Sequence, residues 1–239
     1  MALAVALFRC ILLYWLQRLR GPLTLPQRAR WLQSACRLVL SSLQIRYTFT
    51  GTPPQSGVVV SNHLSYLDIA IYSAIMPCFF VAKQEISTWP YFGRAASTGG
   101  TLFLNRTSPS SAAQVASAIA ERLALPVPTL FFPEGTSTDG SSVLPFHRWL
   151  FEPAARAAAP VTAAAVRYSF TNGVPEKELC WYGDQPFLPH LWKALAISGF
   201  TAQVSFGVPH VYTNRRIAAA ETHAAIVAMR AASAPSSQS

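Results

Sequence analysis

His63 and Asp68 stand five residues apart in Asn62-His63-Leu64-Ser65-Tyr66-Leu67-Asp68. The apolar run Gly57-Val58-Val59-Val60-Ser61 before them reads as a buried strand bounded by the Pro53-Pro54 turn. Ile69-Ala70-Ile71-Tyr72 after them reads as the apolar face of a helix. The histidine therefore belongs to a strand end and the aspartate to the first turn of a helix. On one continuous helix this separation would place the two side chains roughly 140° apart. With the histidine still in the loop, the carboxylate can reach back to the ring, which is the arrangement of a general base and its orienting group. Ser65-x-x-Asp68 also fits a capping pattern in which Asp68 only satisfies a first-turn N–H. The spacing alone leaves both readings open.

Two more polar clusters sit at strand ends. Thr101-Leu102-Phe103-Leu104 runs into Asn105-Arg106, and Thr129-Leu130-Phe131-Phe132 breaks into Pro133-Glu134-Gly135-Thr136-Ser137. A strand at Cys78–Ala82 ends at Lys83, read here as a solvated strand-end lysine. Further strands are expected at Gln44–Phe49, Val161–Tyr168, Leu179–Tyr182 and Thr201–Phe206. Between them lie helical patterns opening near Trp89-Pro90-Tyr91-Phe92-Gly93, from Pro109 through Leu123, over Trp149–Ala159 and over Leu188–Leu195, with a last helix capped by Asn214 and running to about Ala232. Strands alternating with helices predict an α/β domain with a mixed, largely parallel sheet flanked by helices. In such folds chemistry gathers at the C-terminal ends of strands, where the three polar clusters fall.

The N-terminus has a different character. Ala2–Leu16 is apolar apart from Arg9, shorter than the roughly twenty residues a membrane span needs, and lacks the basic start and cleavage site of a signal peptide. Arg9 and Arg20 are about three helical turns apart and share a face, with Tyr14 and Trp15 suited to headgroup level. Gly21-Pro22 ends this helix, and a second runs from Thr24 to about Ser42 with Trp31, Ala35, Leu38 and Val39 on one face. The expected organisation is a membrane-docking helix pair over residues 1–43, a catalytic domain over 44–232 and a disordered tail over 233–239.

Charged residues make up only 12% of the 239, about half the usual share, and the net charge is +9. A basic, apolar chain without a dense Lys/Arg stripe or a nucleic-acid module suits an anionic membrane surface or a phosphorylated ligand, and argues against nucleic acid. Cys10, Cys36, Cys78 and Cys180 form no CxxC pair, so neither a metal site nor a disulfide framework is expected.

Taken together, the clusters resemble the glycerophospholipid acyltransferase family, whose best-known members are the 1-acylglycerol-3-phosphate acyltransferases. Asn62-His63-x-x-x-x-Asp68 resembles the family's first motif, Gly100-x-Leu102-Phe103-Leu104-Asn105-Arg106 its second, and Phe132-Pro133-Glu134-Gly135-Thr136 its third, with Ala159-Pro160-Val161-Thr162 in the place of a fourth. The resemblance covers about residues 45 to 170. It implies transfer of a fatty acyl group from acyl-CoA or acyl carrier protein to the free hydroxyl of a lysophospholipid, with no bound cofactor. His63 would be the base and Asp68 its partner. Arg106, Glu134, Gly135 and Thr136 would hold the acceptor, and Glu134 could instead hold Arg106. It also implies membrane lipids as partners and a place on the cytoplasmic face of the inner membrane.

Two departures stand out. Asn105 replaces an acidic residue common before the second-motif arginine, and Ser137 replaces an arginine common after the third-motif threonine. Ser137-Thr138-Asp139-Gly140 and Trp181-Tyr182-Gly183-Asp184 are similar to bacterial acyltransferases that acylate lyso-ornithine lipid, which makes that lipid the alternative acceptor. Two other classes would carry their own signatures. A non-catalytic membrane-binding protein would be signalled by loss of His63 or Asp68, and a metal-dependent hydrolase would need a closer ligand spacing than His63, Asp68 and Glu134 offer.

Overall fold

The computed structural model describes residues 2–19, 21–89, 92–105, 109–171, 173–197 and 199–232. The elements in chain order are α1 (Ala2–Arg18), α2 (Leu25–Ser42), β1 (Arg46–Thr50), β2 (Val58–Ser61), α3 (Leu67–Ile75), β3 (Phe79–Lys83), α4 (Phe92–Gly99), β4 (Leu102–Leu104), α5 (Pro109–Leu123), β5 (Thr129–Phe131), α6 (Glu152–Arg156), β6 (Pro160–Phe170), α7 (Phe187–Ala196), β7 (Phe200–Phe206), β8 (His210–Val211) and α8 (Arg215–Ala232). Single 3₁₀ turns cover Gln84–Thr88, Arg148–Phe151 and Glu176–Glu178.

The strands form one sheet in the order β1-β7-β6-β2-β5-β3-β4, with β8 also paired to β6. β2 pairs in parallel with β5 and β6, β3 with β5 and β4, and β1 with β7, while β6 runs antiparallel to β7 and β8. The sheet is mixed and mostly parallel, as its alternating sequence predicts.

The run of valines makes physical sense at the centre of this sheet. Val58, Val59 and Val60 are all fully buried, which a strand covered on both faces requires. Successive side chains point to opposite faces. Val59 joins the core under α2, α3 and α7, whereas Val58 and Val60 join the core under α6 and α8. Each buried valine contributes roughly 1.5–3 kcal/mol, so the strand that delivers His63 is anchored from both sides. β4 and α5 close the far edge through Leu102, Leu104, Val115 and Ile119.

α1 lies on the outside. It buries only Ala6 and Cys10, one turn apart, and Tyr14 meets the Trp31 ring of α2 at 5.5 Å. The rest of its circumference exposes Val5, Phe8, Ile11, Trp15, Leu16 and other apolar side chains. At 17 residues it is about 25 Å long. Among the described residues no helix is long and apolar enough to cross a membrane. Arg20, and with it the shared face of Arg9 and Arg20, lies outside the described residues, as does the tail at 233–239.

Two expected elements take another form. Leu179–Tyr182 is not a strand: Leu179 and Cys180 are buried, but the Trp181 amide donates to the Leu64 carbonyl at 2.8 Å and no ladder forms. The helix expected over Trp149–Ala159 is a 3₁₀ turn followed by the short α6. Pro153 stands in the first turn of α6 and cannot donate back to an earlier turn, so the two pieces do not merge.

Candidate active site

His63 emerges directly beyond β2, and its ring lies flat on Phe132, with centroids 3.9 Å apart and planes 11° from parallel. Phe132 is the first residue after β5, the parallel neighbour of β2, so pairing of the two strands sets the stack. Both polar groups of the His63 peptide are tied down. Its amide donates to Glu134 Oε1 at 2.8 Å, and its carbonyl accepts from the Thr138 amide at 2.9 Å. The ring's Nδ1 meets Asp68 Oδ2 at 2.8 Å. Among the described residues no hydrogen bond ends on Nε2, and the side chain is 18% exposed.

Asp68 is fully buried in the first turn of α3. The loop folds back so that Oδ2 also accepts from the Leu64 amide at 2.8 Å and the Ser65 amide at 3.1 Å. Asp68 therefore satisfies loop amides and holds the imidazole at the same time. Since a carboxylate only accepts, His63 keeps its proton on Nδ1, and Nε2 is left as the acceptor. Oδ1 accepts from the Tyr168 hydroxyl, a residue of β6.

Asn62 shows how the strand end is closed. Its side chain continues the β2–β6 ladder, with Nδ2 donating to the Val166 carbonyl at 3.1 Å and the Val166 amide donating to Oδ1 at 2.9 Å. The backbone is thereby free to turn away and present His63.

Glu134 sits 5% exposed in a turn closed by the Gly135 amide donating to the Phe132 carbonyl at 3.1 Å. Pro133 suits the second position of such a turn, and Gly135 adopts φ +76°, a region a glycine enters without steric cost. Glu134 Oε2 accepts from the Leu144 amide at 2.7 Å, so each carboxylate oxygen already holds an amide. Its geometry ties the turn to the His63 peptide. Burial pushes its pKa up, and the amides of Leu144 and His63 pull it back. Thr136 is exposed on the same turn. The structure thus brings His63, Asp68, Glu134 and Gly135 together, while Arg106 lies outside the described residues. No three His, Cys, Asp or Glu side chains among the described residues are grouped to hold a metal ion.

Further residues join the site, some of them from outside the quoted motifs. The Ser137 hydroxyl donates to the Trp181 carbonyl and the Trp181 amide donates to the Leu64 carbonyl, so the Trp181 segment bridges the Ser137 and His63 loops. Trp181, Tyr66, Trp89 and Phe187 form an aromatic cluster beside it, with Trp89 and Phe187 4.3 Å apart. His190 is buried beneath; its Nε2 donates to the Cys180 carbonyl at 3.1 Å, which leaves Nδ1 to accept the Tyr66 hydroxyl at 3.0 Å. Burial lowers its pKa, against the opposing effect of the Cys180 carbonyl.

A family model described as Acyltransferase matches residues 44–167. The chain is 36% identical over 168 residues to the lyso-ornithine lipid O-acyltransferase of Rhodobacter capsulatus, covering 68% of this chain and 60% of that one. It is also 36% identical over 153 residues to the 1-acyl-sn-glycerol-3-phosphate acyltransferase of Neisseria gonorrhoeae, covering 64% and 60%. The chain thus spans about three fifths of the length of these two relatives. Its fold is similar to that of the solved 1-acyl-sn-glycerophosphate (LPA) acyltransferase PlsC of Thermotoga maritima, with a TM-score of 0.63 at 16% identity, over 98% of this chain and 90% of the other.

Proposed function

The chain belongs to the acyltransferase family, and from that premise we propose that it moves a fatty acyl group from a thioester donor, acyl-CoA or acyl carrier protein, to the free hydroxyl of a lysophospholipid. The observation that carries this reading is His63 Nδ1 held at 2.8 Å from the buried Asp68, with no hydrogen bond on Nε2 among the described residues. In the proposed reaction Nε2 takes the acceptor's hydroxyl proton as that oxygen attacks the thioester carbonyl. A C–O bond forms, the C–S bond breaks, and the imidazolium returns the proton to the departing sulfur. Asp68 holds the tautomer and stabilises the imidazolium. The acceptor attacks directly. Cys78 and Cys180 are buried, and burial raises their thiol pKa values, so neither offers a nucleophilic thiolate.

The proposed acceptor is 1-acyl-sn-glycerol-3-phosphate, giving phosphatidate, with Arg106, Gly135 and Thr136 toward its head and Glu134 positioning the His63 peptide. Lyso-ornithine lipid is the second reading, and one observation favours it. Ser137, in place of an arginine that would meet phosphate, is bound to Trp181, which joins the two segments similar to the ornithine-lipid enzymes. We place residues 1–43 at the cytoplasmic face of the inner membrane, with 44–232 as the catalytic domain; the apolar outer surface of α1 supports docking to a membrane.

The test is acyl transfer by purified protein in phospholipid vesicles, with labelled acyl-CoA and acyl carrier protein and each acceptor in turn. Transfer to lysophosphatidate is the expected result. Transfer only to lyso-ornithine lipid moves the assignment to the second reading, and thioester turnover without any lipid product overturns the proposal.

A further inference from the structure

Tyr168 reaches Asp68 from β6, across 100 residues of sequence. It is 2% exposed, and its hydroxyl donates to Asp68 Oδ1. The other oxygen, Oδ2, carries the imidazole and two loop amides. Packing alone does not call for a hydroxyl here, since a phenylalanine would fill the same space beside Phe200, whose ring is 6.0 Å away. A buried phenol needs a polar partner, and this one ends on the group that holds His63. Burial and the neighbouring Asp68 push its pKa well up, so it stays an un-ionised donor.

The backbone around it is braced in the same way. The Tyr168 amide donates to Glu176 Oε1 at 2.8 Å, and Glu176 Oε2 pairs with Arg230 Nη2 at 2.7 Å. Arg230 Nη1 donates at 2.6 Å to the Val166 carbonyl, the same oxygen that accepts from Asn62. α8 thereby reaches the rear of the site through a chain of polar side chains, and Tyr168 is their endpoint at Asp68.

We propose that Tyr168 is a positioning residue for acyl transfer: its hydroxyl fixes the rotation of the Asp68 carboxylate so that Oδ2 stays on His63 Nδ1. This rests on the reading of His63 as the base. A Tyr168→Phe change removes this one donor and leaves the two loop amides on Oδ2, so it releases the rotation of the carboxylate without unmaking the loop.

The experiment compares wild type, Tyr168→Phe and His63→Ala, with far-UV circular dichroism and thermal unfolding alongside. Tyr168→Phe is expected to lower kcat about tenfold and leave both KM values within about twofold. Replacement of Tyr168 by 4-fluorophenylalanine, which fills the space of the hydroxyl without donating, is expected to lower kcat in the same way and covers the case in which the phenylalanine variant folds poorly. A kcat within about twofold of wild type in either folded variant assigns Tyr168 to packing and overturns the proposal. Wild-type turnover in His63→Ala instead removes the base, and the proposal falls with the reading beneath it.

Discussion

Replacing Asp68 by asparagine separates charge from shape at the centre of the site. The side chain is fully buried and accepts from His63 Nδ1, the Leu64 and Ser65 amides and the Tyr168 hydroxyl. An asparagine can keep its oxygen on the three N–H groups and turn its amide toward Tyr168, whose hydroxyl can then accept. The loop therefore keeps its form, and the neutral imidazole keeps its tautomer. What is lost is the negative charge beside the ring when the imidazolium forms. At an effective dielectric near 20, unit charges about 4 Å apart attract by about 4 kcal/mol, and a hydrogen bond to a charged group contributes about 1.5–3 kcal/mol. Because His63 is partly open to solvent, about 2–4 kcal/mol is the appropriate range, or a fall in kcat of about 30- to 1,000-fold. The imidazolium exists only along the reaction path, so both KM values should change little. Steady-state acyl transfer with circular dichroism on the same samples reads this directly. A folded Asp68→Asn protein with kcat within a factor of two of wild type would show that the carboxylate does only structural work, and the general-base reading would lose its partner.

Glu134→Gln replaces one acceptor oxygen by a donor facing an amide, so it should cost about 1–3 kcal/mol in urea unfolding and lower kcat by loosening the His63 peptide; unchanged stability would contradict the tie. His190 has a pKa lowered by burial, so on acidification the unfolded chain takes up its proton first. Its stabilising contribution is present above the ordinary histidine value of 6.5 and is lost as pH falls through the lower folded value. Wild type should therefore lose more stability than His190→Gln between neutral pH and about pH 5, and parallel curves would refute the assignment. Phe8→Asp with Trp15→Asp, both on the exposed surface of α1, should weaken sedimentation with anionic vesicles by at least about tenfold without affecting the fold, whereas undiminished sedimentation would remove α1 as the docking element.

Much of the site could be read from local sequence because its parts are local. A buried valine run ending in a polar residue, a histidine, and an acid in the first turn of the next helix define a geometry over seven residues, and the His63–Asp68 contact realises it. The Asn214 cap of α8 is equally local, with Oδ1 accepting the Arg216 amide at 2.8 Å. What escaped depends on distant chain. Leu179-Cys180-Trp181-Tyr182 has strand composition, but burial against the His63 loop satisfies it without a ladder, and a short apolar run carries no period to distinguish the two. Tyr168 looks like any aromatic in an apolar strand, and only the β2–β6 pairing turns it toward Asp68. Glu134 was visible as a polar residue at a strand end, yet its two amide partners come from segments 71 and 10 residues away, which the motif does not encode.

The most direct measurement is the rate of lipid product formation by His63→Ala beside wild type, in vesicles, with a labelled acyl thioester and lysophosphatidate or lyso-ornithine lipid. The account predicts a loss of at least about a hundredfold, with the fold and vesicle binding retained. Product formation at the wild-type rate would contradict it, because the account places the proton transfer on His63 Nε2.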